Sequence, residues 1–204
     1  MDKLEEMNCF STSVYVIQKD DFLESVREVS EEYLKPQKKD DEYLAMSGSF
    51  IHEEKVAPFA QYISQTAWNI LASQGYAVDK LATYFTEMWT QEHRHGSSMD
   101  THVHGQGSQM SCFYFINVPE DSCKLVIHDP RPAKVVVSLP EADSQKISDA
   151  TTHIVLTPKE GMMIFTNSWL AHSFTKNLSQ EPMRFVHMNL SVMPVPENPN
   201  VEVV

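Results

Sequence analysis

Two histidines two residues apart are the first candidates for chemistry. His102 and His104 lie in the segment DTHVHGQGSQMSCFYFIN (100–117), ahead of a turn-forming GQGS and an apolar run. Side chains two apart in an extended strand lie on the same face, and two adjacent imidazoles at a strand end supply half of a metal site. Strand histidines also occur in pairs as hydrogen-bonded surface residues, so the pair alone leaves both interpretations open.

Two residues further along the chain could complete such a site. His172 follows a turn at Gly161 and the apolar strand MMIF, and by itself it is more typical of a hydrogen-bonded histidine beside Trp169. Arg184 opens RFVHMNLSV, a strand that is otherwise apolar on one face. An arginine in such a strand indicates a carboxylate or phosphate partner, with an exposed edge arginine as the alternative.

The surrounding elements predict a mainly β protein with two or three packing helices near the N-terminus. β-Branched and aromatic residues indicate a first strand at 11–18, and helical spacing predicts helices that end near Leu34 and Gln74. The rest of the chain alternates short apolar segments with turn signals, which is typical of an antiparallel barrel or jelly roll. The strands predicted there are 81–93, 112–118, 124–128, 134–139, 152–156, 162–165 and 184–193. We expect one domain over 1–204, with helical support at about 20–76 and a jelly-roll core at about 81–193.

Composition excludes several classes of function. The chain has 204 residues and a net charge of −12, which argues against nucleic acid or an anionic membrane as the main partner. No segment approaches the ~20 apolar residues of a membrane span, and the first residues lack the apolar core of a signal peptide. Three unpatterned cysteines, Cys9, Cys112 and Cys123, fit a reducing compartment. We therefore expect a cytoplasmic protein, and pairing through edge strands would make it a homodimer.

The order of these motifs resembles the iron- and 2-oxoglutarate-dependent dioxygenases. An H-x-H pair is followed after 68 residues by His172 and after 12 more by Arg184. The chain is most similar to the small prolyl-hydroxylase-related branch of that superfamily, found in marine bacteria and their phages. The similarity is carried by WTQEHRHGSSMDTHVHGQGSQMSCFYFINVP, KLVIHDPRP, EGMMIFTNSWLAHSFTKN and MRFVHMNLSV. It implies a double-stranded β-helix, the jelly-roll or cupin-like fold.

The resemblance implies a metal site. His102, His104 and His172 occupy the positions that bind Fe(II) in that superfamily. A carboxylate usually stands where this chain has His104, and three neutral imidazoles leave both charges of the metal uncompensated. Three-histidine iron sites exist, so His104 can still be a ligand. Asp100 or Asp129 could instead supply an oxygen ligand, or His104 could lie outside the coordination sphere. Asp100 is the better substitute, because it shares a strand face with both histidines.

It also implies a site for 2-oxoglutarate. Arg184 takes the place of the cation that pairs with the distal carboxylate of this cosubstrate, because guanidinium forms a bidentate, always-charged anchor. A tyrosine hydroxyl often assists in the family, and its position here falls on Phe115. Either one hydrogen bond to the cosubstrate is therefore missing, or Tyr114 or Ser173 substitutes. Asn189 matches the family pattern without a defined role, as does Arg131, and turn or strand-end hydrogen bonding is the alternative for both.

The function implied is a hydroxylase that consumes O₂ and 2-oxoglutarate and releases succinate and CO₂. Its substrate would be a protein side chain or a small metabolite, with loops 37–50 and 140–151 at the border of the site. Two other functions stay open at this point. One is a three-histidine dioxygenase that uses no 2-oxoglutarate, and the other is a jelly-roll binding module without catalytic activity.

Overall fold

Two antiparallel sheets form the centre of the computed structural model, which describes residues 4–35, 42–105 and 107–195. Their strands are, in chain order, β1 (Tyr15–Gln18), β2 (Leu44–Met46), β3 (Leu81–His93), β4 (Met99–His102), β5 (Met110–Asn117), β6 (Leu125–His128), β7 (His153–Leu156), β8 (Met162–Asn167), β9 (His172–Phe174) and β10 (Met183–Pro194). One sheet has the order β1-β8-β5-β10-β3-β2, and the other β4-β9-β6-β7. The mainly β, jelly-roll prediction is confirmed.

Two helices cover the outer face of the six-stranded sheet. They are α1 (Leu23–Leu34) and α2 (Ala57–Ser73), and a short 3-10 turn precedes each of them. Phe59, Ile63 and Ala67 recur at helical spacing and are fully buried against the sheet. The helical region predicted before Gln74 ends as expected, because Gly75 adopts the left-handed conformation with φ of +88°.

The alternation of side chains along β10 separates two hydrophobic cores. Val186 and Met188 point outwards and pack with residues of α2. Phe185 points inwards, where its ring stacks on Phe174 of the four-stranded sheet at 4.8 Å between centroids. Because neighbouring residues of a strand lie on opposite faces, each residue of β10 belongs either to the helix side or to the space between the sheets.

The strand predicted at 134–139 is wrong, since Pro132–Val137 forms a short helix, α3. The valines of this segment do not pair in a sheet, and Val136 is 83% exposed. Lys134 connects this helix to the segment before β7, because its Nζ donates to the carbonyl oxygens of Ala150 and Thr151. Local β propensity is a weak guide where no neighbouring strand offers a partner.

Two short strands were not expected from sequence, namely β2 and β9. Each has three residues, too few for a hydrophobic period to be recognised. The strand expected at the first histidine pair is β4, which ends at His102, so His104 lies just beyond it. β4 and β9 carry histidines of the site described below. Within the described residues no helix is long and apolar enough to cross a membrane. The single domain over residues 1–204 stays a prediction.

Candidate metal centre

Pairing between two short strands brings the first two histidines face to face. His102 is the last residue of β4 and His172 the first of β9, and they are direct partners in the antiparallel register. Their ring centroids lie 4.5 Å apart. His104 follows β4, where its backbone N–H donates to Ser168 O at 2.9 Å. Its ring stacks on that of His172 at 5.1 Å.

These three histidines form a group that could hold a metal ion. One ring nitrogen from each lies within 4.8 Å of the others, and this is the one such group of three or more among the described residues. The structure therefore brings together the three residues that the sequence singled out as metal ligands. Asp100 is not part of the group, although it lines a cavity beside the histidines that is described below.

Two backbone carbonyls fix the orientation and the tautomer of His102 and His172. His102 Nδ1 lies 2.8 Å from Asp100 O, and His172 Nδ1 lies 3.0 Å from Leu170 O. A carbonyl oxygen only accepts, so Nδ1 carries the proton in both rings and Nε2 presents a lone pair. This arrangement is the usual support of metal-binding histidines.

His104 has a different support. Its Nδ1 faces the amide nitrogen of Asn189 at 3.3 Å. The Asn189 amide is oriented by Ser111, whose hydroxyl donates to Oδ1 at 2.8 Å, and by Glu87, which accepts from Nδ2 at 2.9 Å. The amide therefore donates to His104 Nδ1, and the proton of the neutral imidazole lies on Nε2. A metal bound through Nε2 has to displace this proton.

A fourth histidine completes the cluster, and sequence reasoning did not assign it. His187 lies in the middle of β10, opposite Trp89 of β3 and Phe113 of β5. Its Nε2 lies 3.1 Å from His104 Nε2, and its ring stacks on Trp89 at 4.5 Å with an interplanar angle of 13°. Residues two apart in a strand lie on the same face, so His187 shares the inward face of Phe185. This alternation is the signal that would have found it.

Burial keeps His104, His172 and His187 uncharged. Desolvation lowers the pKa of His104 to about 4, with a smaller contribution from His172, and it lowers the pKa of His172 to about 4. Burial also lowers the pKa of His187 well below its usual value. Unprotonated imidazole is the form that binds metal, so at neutral pH these rings need not lose a charge before an ion binds.

A cavity of about 400 Å³ opens beside the cluster. Its walls are largely apolar and come from Met46, Trp89, Met99, Phe113 and Phe174. None of the described residues that line it is a lysine or an arginine, and its one carboxylate is that of Asp100. Loop 37–50 thus contributes Met46, while residues 37–41 lie outside the described part. Loop 140–151 lines a different cavity, through Ile147, Ser148 and Asp149.

Arg184 does not meet the histidines, contrary to the expectation from sequence. It lies on the outward face of β10, as Val186 does, and its Nε donates to Glu92 Oε2 at 2.6 Å. Its Nη1 donates to Glu31 of α1 at 3.0 Å. The strand registry of β10 against β3 and β5 decides this, because a shift by one residue would exchange the two faces. The predicted carboxylate partner is therefore a pair of glutamates in the protein itself.

Two further residues predicted to bind the cosubstrate are also away from the cluster. Tyr114 points to the helix side, where its hydroxyl donates to Lys19 O at 2.9 Å and its ring packs on Phe59. Ser173 lies with its Oγ 2.9 Å from His128 Nε2. Asn189 does reach the cluster, but it contacts His104.

Asp129 is unsuitable as the missing carboxylate ligand. Arg131 and Lys134 both pair with it, at 2.9 and 3.2 Å, and the hydrogen bonds from Arg131 lower its pKa to about 2. This pairing also gives Arg131 a structural role in the turn after β6. His93, a histidine with no expected role, is fully buried between Gln91 and Ser97.

Comparison with known proteins identifies the fold and the family. The structure is similar to viral collagen prolyl hydroxylase from Paramecium Bursaria Chlorella virus-1, solved with 2OG, with a TM-score of 0.57 and 13% identity over 87% of this chain and 94% of that one. It is also similar to a prolyl-4-hydroxylase of Pseudomonas putida, with a TM-score of 0.61 and 10% identity over 89% and 93%. HygX from Streptomyces hygroscopicus, solved with nickel, 2-oxoglutarate and hygromycin B, has a TM-score of 0.55 and 10% identity over 88% and 83%.

At these identities the likeness shows the double-stranded β-helix fold alone. No protein with a curated description matches the chain in sequence. A family model described as Putative 2OG-Fe(II) oxygenase matches residues 87–188, which is half of the chain and includes all four histidines of the cluster. The description names Fe(II) and 2-oxoglutarate, the two cofactors that the sequence predicts. The chain therefore belongs to the Putative 2OG-Fe(II) oxygenase family.

Proposed function

We propose that this chain is an oxygenase that uses Fe(II) and 2-oxoglutarate, with the ion held by His102, His104 and His172. One observation supports this above the others: ring nitrogens from all three converge within 4.8 Å at the edge of a cavity. The proposal extends the family assignment from a class of enzymes to named ligands. It also keeps His104 as a ligand in the position where the family usually has a carboxylate.

The residues present fit an iron ion. Imidazole is a suitable ligand for Fe(II), which when bound supplies the redox chemistry that activates O₂. His102 and His172 are held by carbonyl groups with Nε2 free, so two of the three ligands are ready for the ion. The aromatic side chains of Phe113 and Phe174 line the cavity and make its wall apolar.

The residues present do not fit 2-oxoglutarate in the way that the sequence suggested. The distal carboxylate of this dianion needs a donor of high charge in a dry site. Arg184 is committed to Glu92 and Glu31, and no lysine or arginine is found among the described residues of the cavity lining. Any binding of the cosubstrate in this cavity thus depends on the metal ion and on neutral donors rather than on Arg184.

The cavity favours a substrate group that is uncharged or positively charged. Its walls are mostly apolar, and Asp100 contributes a negative charge at their edge. An anionic group would meet this carboxylate without a compensating cation. Within the two substrate classes expected from sequence, we propose hydroxylation of an apolar or basic portion of a protein side chain or small metabolite.

The test is an anaerobic titration of the metal-free protein with Fe(II) and then with 2-oxoglutarate. Chelation of iron by this cosubstrate generally gives a weak visible band at about 500 nm, a property of the cofactor pair. We expect the band in the wild type and its loss in His172→Ala. We expect Arg184→Met to retain it, because Arg184 lies on the other face of β10. Failure of the wild type to bind Fe(II) would contradict the proposal.

A second candidate is a histidine-ligated dioxygenase that uses no 2-oxoglutarate. The specific observation in its favour is the lack of a cation among the described residues that line the cavity. The same titration separates the two candidates. Iron binding without the band, even with excess 2-oxoglutarate, would favour this second function and contradict the first.

A further inference from the structure

From the residues of the cavity wall we infer that the site binds a cationic substrate group, an ammonium or a guanidinium, and that the carboxylate of Asp100 selects it. The inference rests on the proposed function and narrows its substrate class. An uncharged group and a basic group both suit an apolar wall. Three features of Asp100 and its surroundings favour the basic one.

The first feature is that the carboxylate of Asp100 has no partner. Its backbone oxygen accepts from His102 Nδ1 at 2.8 Å. Its side chain forms no hydrogen bond or ion pair within residues 4–35, 42–105 and 107–195. Asp129, by contrast, pairs with both Arg131 and Lys134. Asp100 is exposed at the edge of the cavity, so its charge is available to an incoming cation.

The second feature is the cost of filling the cavity. A substrate that occupies it removes water from the carboxylate of Asp100, which lines the wall. A carboxylate that loses water without gaining a partner is destabilised, so a wholly apolar substrate would bind against this cost. A cationic group replaces the lost hydration with a charge-assisted hydrogen bond. Asp100 therefore distinguishes between two groups that the rest of the wall would accept equally.

The third feature is the aromatic part of the wall. Trp89, Phe113 and Phe174 line the cavity. The Trp89 ring stacks on His187, and no second aromatic ring in the described part of the chain stacks on it. A cation is attracted to the face of an aromatic ring, and the apolar stem of a basic side chain packs on the same surface. The wall thus suits both the charge and the stem.

An irregularity in β4 places Asp100 beside the metal centre. Met99 pairs with Phe174, and three residues further along β4 His102 pairs with a residue only two before Phe174. Such bulges re-aim side chains and are common next to active sites, and all four residues of β4 line the cavity. The Cα atoms of Asp100 and His102 lie within about 7 Å, because two residues span no more. A cation bound to Asp100 would hold the rest of its molecule next to the ion.

The charge of the ion does not oppose a cationic substrate. Three neutral imidazoles leave both charges of Fe(II) uncompensated, but 2-oxoglutarate is a dianion and cancels them when it is bound. The carboxylate of Asp100 is then the unbalanced charge of the cavity lining. The net charge of −12 also attracts cations towards the protein.

The experiment compares two probes of equal shape, n-butylguanidinium and n-butylurea. Both are titrated by calorimetry, under nitrogen, into the full chain with Fe(II) and 2-oxoglutarate present. The probes differ by one charge, and the protonated guanidinium has no lone pair to offer the metal. We expect the wild type to bind the guanidinium about ten- to 100-fold more tightly, the range for hydrogen bonds to a charged group. Equal affinities, tighter binding of the urea or binding of neither would overturn the inference.

Two variants make the assignment specific. Asp100→Asn should remove the preference for the guanidinium and retain Fe(II). Asp149→Asn removes a carboxylate from the other cavity, and it should keep both the preference and the iron. A preference that survives in Asp100→Asn would overturn the inference. Loss of Fe(II) from this variant would overturn it too, because Asp100 would then be a ligand of the ion.

Free arginine and N-acetylarginine methylamide distinguish the source of the cation. Tighter binding of the capped form would identify a protein side chain, and tighter binding of the free form a small metabolite. Either result supports the inference if Asp100→Asn removes it, and binding of neither probe would overturn it. A wild type that binds Fe(II) but prefers no cation would contradict this inference alone. A wild type that binds no Fe(II) would contradict the proposed function, so the iron titration separates the two failures.

Discussion

The two faces of β10 have different tasks, although their residues alternate along one strand. The inward face carries His187 and Asn189, which contact His104 in the metal centre. The outward face carries Arg184, which connects the strand to α1 through Glu31 and to β3 through Glu92. Arg184, which the sequence assigned to the site, thus forms ion pairs within the protein. His187, to which the sequence assigned no role, lies beside the site.

This difference shows how strongly a single step of register determines function. The period of a strand is two, so a shift by one residue would bring Arg184 inwards and turn His187 outwards. The pairing of His187 with Trp89 and Phe113 fixes the register on both sides. The inner face therefore depends on contacts with neighbouring strands that no local motif encodes.

The largest expected effect is in the metal centre, which the inward face of β10 borders. His172→Ala should reduce Fe(II) affinity by more than about 100-fold, because the loss of a ligand exceeds the ~10–100-fold effect of losing a supporting residue. Anaerobic titration monitored by calorimetry measures this change. Ser173→Ala in the same strand, whose side chain contacts His128, is the matched control. Equal affinities of the two variants would show that the cluster does not bind the ion.

The second prediction concerns the outer face. Arg184→Met should lower the free energy of unfolding by about 2 kcal/mol, since it leaves buried Glu92 with one cation fewer. Arg94, 3.0 Å from Glu92, limits the loss. Urea denaturation measures the stability, and Fe(II) titration of the same variant should give the wild-type affinity. Loss of metal or 2-oxoglutarate binding in a stable variant would place Arg184 in the site after all.

The third prediction uses pH to test the burial of His93, which lies between Phe174 and Phe185 of the two sheets. Burial lowers the pKa of His93 to about 4, against 6.5 in an unfolded chain. The unfolded state then binds more protons between these values, so stability is complete above about pH 6.5 and falls as the pH approaches 4. From pH 7 to 5 this one group contributes a loss of about 2 kcal/mol.

The control for this effect is His93→Gln in urea denaturation at both pH values. The variant should lose less stability than the wild type on acidification, by about the same 2 kcal/mol. His95 is exposed and offers the matched comparison, because His95→Gln should retain the full dependence on pH. Identical slopes in wild type and His93→Gln would mean that His93 is solvated.

The smallest predicted effect tests how Asn189 influences metal binding by His104. Asn189→Ala removes the donor that keeps the proton of His104 on Nε2, so metal binding should become tighter. One hydrogen bond is worth about 0.5–1.5 kcal/mol, which corresponds to roughly a two- to tenfold gain in affinity. Competition with a chelator of known affinity resolves such a difference. A weaker affinity would indicate that Asn189 supports the metal-bound form of His104.

Much of this architecture could be predicted from sequence, for reasons that are visible in particular residues. The spacing of His102, His104 and His172 led to the metal hypothesis, because two of the three lie on one short segment and the third follows the recognisable strand MMIF. α2 was found from its helical spacing and from Gly75. Such signals depend on neighbours in sequence and not on tertiary pairing.

The features that were not predicted from sequence depend on tertiary pairing instead. The face on which Arg184 lies depends on the register of three strands, and β propensity at 134–139 was overridden because Val136 has no strand to pair with. His187 was missed since RFVHMNLSV contains both polar and apolar residues on each parity. In all three cases the deciding interaction is with a segment distant in the chain.

The central claim is that the histidines between the two sheets bind a metal ion, and one measurement tests it most directly. The metal-free wild type and the double variant His102→Ala/His172→Ala are dialysed anaerobically against Fe(II), and bound iron is counted per chain. The account predicts one ion per wild-type chain and none in the folded double variant. Iron retained by the double variant, or absent from the wild type, would contradict it.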